Sequence, residues 1–232
     1  MKNTKINENL RNFLVTAVAA GLTIPKTFAN NKFGSFISKI EKQKEYNTLQ
    51  SLAPPGAKSV ENLNKYCTSC HLCVSKCPQN VLKPAFKEYG LEGIMQPVMK
   101  FDKGFCNFDC TLCSEVCPTS ALSKLSKEQK HLTQVGKVIF LLENCVVHTN
   151  GTSCGACSEH CPTQAISMKP YKDGLTIPEI NQDICVGCGG CEFICPVRPY
   201  RAVYIEANLV HKQAKPIEKE KNNEIKIDDF GF

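Results

Sequence analysis

Tryptophan is absent from this chain of 232 residues, and aromatic residues make up only 8% of it, so a large aromatic core is excluded. No run of about eighteen or more consecutive apolar residues occurs, so the sequence contains no standard membrane-spanning helix. Basic residues are not interleaved with aromatic ones along any stripe, which excludes a typical nucleic-acid partner. The sequence also lacks a glycine-rich nucleotide fingerprint or any other small-molecule cofactor motif. The lack of these features argues against both a nucleotide-dependent enzyme and a nucleic-acid-binding protein.

The net charge of +6 is concentrated at the N-terminus. A polar, basic start ends at Arg11, an apolar stretch follows over residues 13–25, and Ala29 closes a small-residue cleavage pattern. This order predicts an export signal over residues 1–29, with an attached N-terminal helix as the alternative. The segment NLRNFL resembles a twin-arginine export signal in which Leu10 replaces the first arginine.

Cysteine is the outlier of the composition, with 16 residues in four similar motifs. The motifs are CTSCHLCVSKCP at 67–78, CNFDCTLCSEVCP at 106–118, CVVHTNGTSCGACSEHCP at 145–162 and CVGCGGCEFICP at 185–196. Each ends in Cys-x2-Cys-x3-Cys-Pro, and the first and fourth match the whole Cys-x2-Cys-x2-Cys-x3-Cys-Pro run that holds [4Fe–4S] clusters in bacterial ferredoxins.

The spacing has a physical reason, because three thiolates two residues apart let a tight loop wrap three irons of a cubane. The fourth cysteine points away and ligates the other cluster of a pair. The pattern therefore predicts four [4Fe–4S] clusters as cofactors, held by Cys67, Cys70, Cys73, Cys77, Cys106, Cys110, Cys113, Cys117, Cys145, Cys154, Cys157, Cys161, Cys185, Cys188, Cys191 and Cys195.

Three other uses of these cysteines fit less well. Zinc sites usually combine two separated Cys-x2-Cys pairs, and cysteines two residues apart rarely meet disulfide geometry. The Cys106-x3-Cys110-x2-Cys113 spacing also occurs in radical S-adenosylmethionine enzymes, but Cys117 follows in ferredoxin register. His71, His148 and His160 lie in or beside the motifs, and we expect them to be loop residues rather than ligands.

Strand patterns predict an α+β fold of two bacterial dicluster-ferredoxin-like modules in tandem. In the second half, strands are expected at Lys137–Leu142 and Ala202–Glu206, which pair, and at Ala165–Met168 and Leu175–Ile180, which form a hairpin. The third and fourth motifs should then share one module.

The first two motifs pair by elimination. A looser hairpin is expected from Val81–Lys83 and Pro97–Phe101, preceded by a helix over SVENLNKY. The predicted boundaries are a linker over 30–60, modules over 61–130 and 131–210, and a charged tail over 211–232 that is expected to be disordered.

The module prediction assigns each triplet to the last cysteine of its neighbour. The expected ligand sets are Cys67, Cys70, Cys73 with Cys117; Cys106, Cys110, Cys113 with Cys77; Cys145, Cys154, Cys157 with Cys195; and Cys185, Cys188, Cys191 with Cys161. A nested pairing, in which the first motif pairs with the fourth and the second with the third, stays open.

Four such motifs behind an export-like leader resemble the NapG/MauM-type ferredoxins, over roughly residues 10–205. The resemblance implies a periplasmic or periplasm-facing electron carrier between a membrane quinol-oxidising polyferredoxin and a terminal reductase, with peripheral membrane association. It implies protein partners and neither a substrate site nor enzyme activity. The alternatives are a tightly bound iron–sulfur subunit of a larger membrane-associated oxidoreductase, a radical S-adenosylmethionine-type enzyme, and a cytoplasmic location.

Overall fold

The computed structural model describes residues 45–46 and 51–216, which belong to one compact unit that starts at Lys44. The predicted export signal over residues 1–29 lies outside the described residues. Within them, no helix is both long and apolar enough to cross a bilayer. The described chain consists of short helices and three two-stranded antiparallel sheets, so it is an α+β fold.

The first half contains the predicted helix and hairpin. Helix α1 (Val60–Tyr66) begins after Ser59, whose side chain accepts a hydrogen bond from the amide of Asn62 at 2.9 Å. Such a cap satisfies one of the free amides of the first turn. Strand β1 (Leu82–Pro84) pairs with β2 (Pro97–Met99). The other elements of this half are α2 (Leu72–Lys76), a 3-10 turn (Leu91–Gly93) and α3 (Leu112–Glu115).

Helix α4 (Lys127–His131) connects the two halves. It begins with a capping box, because the Ser126 side chain binds the Gln129 amide and the Gln129 side chain binds the Ser126 amide. The helix leads directly into strand β3 (Thr133–Phe140).

The second half contains the predicted strands, displaced by a few residues. Strand β3 pairs with β6 (Val203–Gln213), and β4 (Ile166–Pro170) pairs with β5 (Thr176–Ile180). The β4–β5 turn contains Asp173 and Gly174 in left-handed conformations, with φ of 54° and 74°. The remaining elements are 3-10 turns at Leu142–Asn144 and Lys172–Gly174, and helices α5 (Val146–Asn150), α6 (Ala156–Glu159) and α7 (Gly190–Ile194).

Two expectations at the margins of the modules are wrong. The end of the predicted linker is part of the core, since Leu52 and Ala53 are fully buried and the Met99 amide donates to the Leu52 carbonyl at 2.9 Å. The tail predicted to be disordered from residue 211 is strand as far as Gln213, which pairs with Thr133. Residues 217–232 lie outside the described part.

One hydrophobic core includes residues of both halves. Leu52, Met99 and Phe101 from the first half belong to the same buried cluster as Val135 and Ile205 from the second. The two halves are therefore packed directly against each other, which places their cysteine loops near a common boundary.

Candidate metal centres

The same local structure repeats at all four motifs. In each one a loop carries the first two cysteines, and the third lies in a short helix: Cys73 in α2, Cys113 in α3, Cys157 in α6 and Cys191 in α7. The fourth cysteine follows the helix. The loop of the fourth motif uses left-handed backbone at Gly187 and Gly189, with φ of 75° and 80°, which glycine adopts without strain. All sixteen cysteines are free of disulfides.

The first-motif triplet lies beside the last cysteine of the second motif. Burial raises the pKa of Cys73 to about 11, and the neighbouring thiols of Cys67, Cys117 and Cys70 also raise it. Burial likewise raises the pKa of Cys67, with Cys117 and Cys70 contributing in the same direction. Cys70 is the one exposed cysteine of the sixteen.

The second-motif triplet is grouped with the last cysteine of the first. Cys77, Cys106, Cys110 and Cys113 line one apolar cavity whose walls include the side chains of Val81, Leu82, Met99 and Leu112. Burial raises the pKa of Cys113 to about 12, and the Cys106 thiol raises it further.

The third-motif triplet shares a cavity with the last cysteine of the fourth. Cys145, Cys154, Cys157 and Cys195 line it together with Phe140, Val146, Pro178 and Val203. The eight-residue gap between Cys145 and Cys154 contains helix α5, so the insertion is folded and Cys145 still reaches the group. Burial raises the pKa of Cys157 to about 12, and Cys154, Cys195 and Cys145 raise it further.

The fourth-motif triplet is grouped with Cys161. Burial raises the pKa of Cys185, of Cys188 (to about 12) and of Cys191, and the Cys161 thiol adds to the shift in each of the three. The structure therefore brings Cys161 to the triplet of the fourth motif. A nested pairing would instead require Cys161 to lie beside the triplet of the second motif.

Backbone amides point at the last cysteines of three motifs. The Leu122 amide donates to Sγ of Cys117 at 3.4 Å, and the Ala165 amide donates to Sγ of Cys161 at 3.2 Å. The Ala202 amide lies 3.5 Å from Sγ of Cys195. Hydrogen bonds to sulfur stabilise negative charge on a cluster and so help to set its reduction potential.

Two threonine hydroxyls also approach these sulfurs. Thr119 Oγ1 lies 3.8 Å from Sγ of Cys117, and Thr163 Oγ1 lies 3.6 Å from Sγ of Cys161. Neither threonine was among the residues predicted from the sequence. The Cys-Pro-Thr sequence shared by the second and third motifs was the available signal.

The three histidines near the motifs bind oxygen atoms. A ring nitrogen of His71 lies 2.7 Å from the Met95 carbonyl, one of His148 lies 2.8 Å from the Tyr171 hydroxyl, and one of His160 lies 3.0 Å from the Ala156 carbonyl. His71 and His160 lie at the ends of short helices, as expected of loop residues, whereas His148 lies within α5.

The donor sets fit polynuclear iron–sulfur clusters. Four thiols in an apolar setting suit soft, thiolate-binding metal clusters. Burial raises the pKa of at least two thiols in each group and so favours their neutral form, and a cationic metal would hold these thiols as thiolates. In the described residues, no three His, Cys, Asp or Glu side chains are placed to hold a single metal ion.

Comparison with known proteins supports this fit. A 4Fe-4S dicluster domain model matches residues 66–121 and 152–198, which confirms the predicted fold class of two dicluster segments in tandem. The second match begins after Cys145, the cysteine displaced by the long gap.

The chain is also similar to curated ferredoxin-type proteins. It is 30% identical over 184 residues to the methylamine utilization ferredoxin-type protein MauM of Methylorubrum extorquens, covering 76% of this chain and 79% of the relative. It is 27% identical over 157 residues to the ferredoxin-type protein NapF of Escherichia coli K12, covering 68% and 87%. For NapG of the same organism, identity is 29% over 152 residues, covering 62% and 65%.

Proposed function

This chain belongs to the ferredoxin-type iron–sulfur proteins that include MauM, NapG and NapF, and we propose that it transfers electrons through four [4Fe–4S] clusters. The observation that carries this proposal is the division of the sixteen cysteines into four groups of four. Each group combines one motif's triplet with the last cysteine of the adjacent motif.

We assign the ligands accordingly. The four sets are Cys67, Cys70, Cys73 with Cys117; Cys106, Cys110, Cys113 with Cys77; Cys145, Cys154, Cys157 with Cys195; and Cys185, Cys188, Cys191 with Cys161. Two cavities that each contain one complete set support two of these assignments. The other two are supported by Cys117 and Cys161, which lie close enough to raise the pKa of Cys67 and of Cys188, respectively.

When bound, each cluster supplies one-electron redox chemistry. The protein supplies thiolates, apolar walls that keep water away from the sulfurs, and amide donors such as those of Leu122 and Ala165. Because every proposed cluster has four cysteine ligands, no iron is left open for a substrate. We therefore propose an electron carrier without enzyme activity of its own.

The family suggests where the electrons go. We propose that the chain accepts them from a membrane quinol-oxidising polyferredoxin and delivers them to a terminal reductase on the periplasmic side, with the leader over residues 1–29 directing export. A tightly bound subunit of a larger membrane-associated oxidoreductase, acting on the periplasmic or the cytoplasmic side, is the second candidate.

The cluster proposal is tested on the full chain purified without oxygen. We expect about sixteen iron atoms per chain and, after reduction, electron paramagnetic resonance (EPR) signals of interacting cubanes. Adding S-adenosylmethionine should leave these signals unchanged, whereas a radical S-adenosylmethionine enzyme would show a new one. Zinc in place of iron, or iron for only two clusters, would overturn the proposal.

The location is tested separately by cell fractionation. We expect the full chain in the periplasmic fraction and the Arg11→Gln variant retained in the cytoplasm. Leu10→Arg restores the arginine pair and should increase export. Wild-type protein found in the cytoplasm with residues 1–29 intact would contradict the exported location and leave the cluster proposal standing.

A further inference from the structure

The two halves of the chain meet at two cysteines of different motifs. The backbone amide of Cys106, in the second motif, donates a hydrogen bond to the backbone carbonyl of Cys188, in the fourth, at 2.9 Å. Both residues belong to proposed ligand sets, so a single hydrogen bond joins the backbones that hold two different clusters.

The surroundings of this bond are closely packed and largely apolar. Cys106 and Cys188 line a small cavity together with Met99, Val135 and Val186. Beside it, the rings of Phe105 and Phe193, the residue before Cys106 and a residue of α7, lie with centroids 5.9 Å apart. The boundary between the two sets is thus lined by protein side chains, most of them apolar.

Within each half, the two ligand sets are also adjacent. Helix α2 packs against α3, and α6 packs against α7. The Cys73 thiol is close enough to Cys113 to raise its pKa after burial, and the Cys157 thiol has the same effect on Cys191. The neighbouring ligand sets are therefore those of the first and second motifs, of the second and fourth motifs, and of the fourth and third motifs.

Resting on the four-cluster function proposed above, we infer that electrons pass along the clusters in the order first, second, fourth and third motif, and cross between the halves at the Cys106–Cys188 contact. At the crossing, the cluster held by Cys106 loses one electron and is oxidised, and the cluster held by Cys188 gains it and is reduced. No bond forms or breaks, and the direction reverses if the donor docks at the other end. The external donor and acceptor are one-electron iron–sulfur or haem proteins.

The inferred order of the clusters differs from the order of the motifs along the chain. It places the first-motif cluster at one end of the electron path and the third-motif cluster at the other. The first-motif set ends at Cys70, which is exposed. The third-motif set is bordered by the exposed segment 148–153. Partners therefore exchange electrons at these two ends, while the second- and fourth-motif clusters only relay them.

The test compares two double variants of the full chain, Cys110→Ala/Cys113→Ala and Cys70→Ala/Cys73→Ala. Each removes two ligands of one first-half cluster, and each should retain about twelve iron atoms. The readout is EPR line broadening and spin relaxation of the reduced second-half clusters, which reports the nearest paramagnetic neighbour. We expect the first variant to narrow a second-half signal and the second variant to leave the second-half signals as in wild type.

Equal narrowing by both variants, or narrowing by the Cys70→Ala/Cys73→Ala variant alone, would overturn the order while the iron content still supports four clusters. If wild type itself lacks about sixteen iron atoms, the four-cluster function fails instead.

Should a double variant lose second-half iron, Cys110→Ser and Cys70→Ser replace it, because serine retains an oxygen ligand. A harder oxygen ligand lowers the midpoint potential of the cluster that it binds. That cluster therefore stays oxidised while its neighbour is reduced, and it adds no negative charge beside that neighbour. Cys110→Ser should then raise a second-half midpoint potential, and Cys70→Ser should not. The opposite pattern, or no shift in either variant, contradicts the order.

Discussion

The ammonium group of Lys130 donates a hydrogen bond to the backbone carbonyl of Phe108 at 3.1 Å, and another to that of Asn107. Lys130 is 6% exposed, an unusual burial for a lysine. The two carbonyls belong to the gap between Cys106 and Cys110, which is one residue longer than in the first motif. Helix α4 thus places a positive charge beside the second-motif ligand set.

We predict that Lys130→Met lowers the reduction potential of the second-motif cluster. Reduction adds negative charge, which a nearby cation stabilises, so removal of the cation favours the oxidised state. An interaction of about 1 kcal/mol corresponds to a decrease of about 40 mV for one electron. A redox titration followed by EPR measures it.

The matched control is Lys127→Met on the exposed side of the same helix. It should leave all midpoint potentials within error. A shift of the same size in both variants would mean that net charge, rather than the position of Lys130, sets the potential.

Gly189 offers a second prediction, because its backbone and its surroundings both require glycine. Its φ is 80°, and an added Cβ would overlap the ring of Phe101 from the other half. Gly189→Ala should therefore destabilise the chain by the left-handed strain plus about 1–3 kcal/mol of overpacking. The measurement is the temperature at which cluster absorbance is lost.

Gly174→Ala is the control, since Gly174 has a φ of 74° and open space around its Cβ position. It carries the same backbone strain without the overlap and should cost about 1–2 kcal/mol. Equal effects of the two substitutions would show that the contact between Gly189 and Phe101 does not contribute to stability.

The repeated cysteine spacing predicts the local structure because each motif forms its loop and helix from neighbouring residues. The same holds for the β4–β5 hairpin, whose turn at Asp173 and Gly174 the sequence signals directly. The longer reach of β6 to Gln213 was missed, because HKQ is polar and its pairing with Thr133 and Gln134 depends on a distant strand.

Contacts between residues that are distant in the sequence were not predictable for the same reason. The buried position of Leu52, beside a proline-rich segment typical of linkers, depends on a hydrogen bond from Met99. The Cys106–Cys188 contact joins the loops of the second and fourth motifs. The cysteine spacing does not indicate that these two loops, rather than any other two, lie in contact. The burial of Lys130 and the position of its charge beside the second motif likewise depend on the packing of α4.

His211 makes stability depend on pH. Burial lowers the pKa of its imidazole to about 4, and a hydrogen bond with the Ala53 backbone opposes this shift only in part. Because the folded pKa lies below the unfolded value of about 6.5, the unfolded state binds the proton more readily. The stability is complete above about pH 6.5 and declines as the pH falls toward 4.

We therefore expect His211→Leu to remove this part of the acid sensitivity. At pH 5 the wild type should have lost on the order of 2 kcal/mol that the variant retains, relative to pH 7. Thermal unfolding of both proteins at pH 7, 6 and 5 measures the difference. Parallel pH profiles would contradict a neutral buried His211, and the exposed His160→Leu variant serves as the control.

The hydroxyl of Thr163 tests which cluster Cys161 belongs to. Thr163 is 3% exposed, and its Oγ1 lies 3.6 Å from Sγ of Cys161, where it can donate to a cluster-bound thiolate. Thr163→Val keeps the shape and removes the donor, so the potential of that cluster should decrease by about 40 mV, the equivalent of one net hydrogen bond. Thr176→Val, in β5, is the control and should change no potential.

The identity of the shifted centre then decides between the two pairings. If Cys161 completes the fourth-motif set, the shifted signal is the one that disappears in a Cys188→Ala/Cys191→Ala variant. In the nested pairing, it is the signal that disappears in Cys110→Ala/Cys113→Ala. We expect the first result, because the structure brings the Cys161 thiol to Cys185, Cys188 and Cys191.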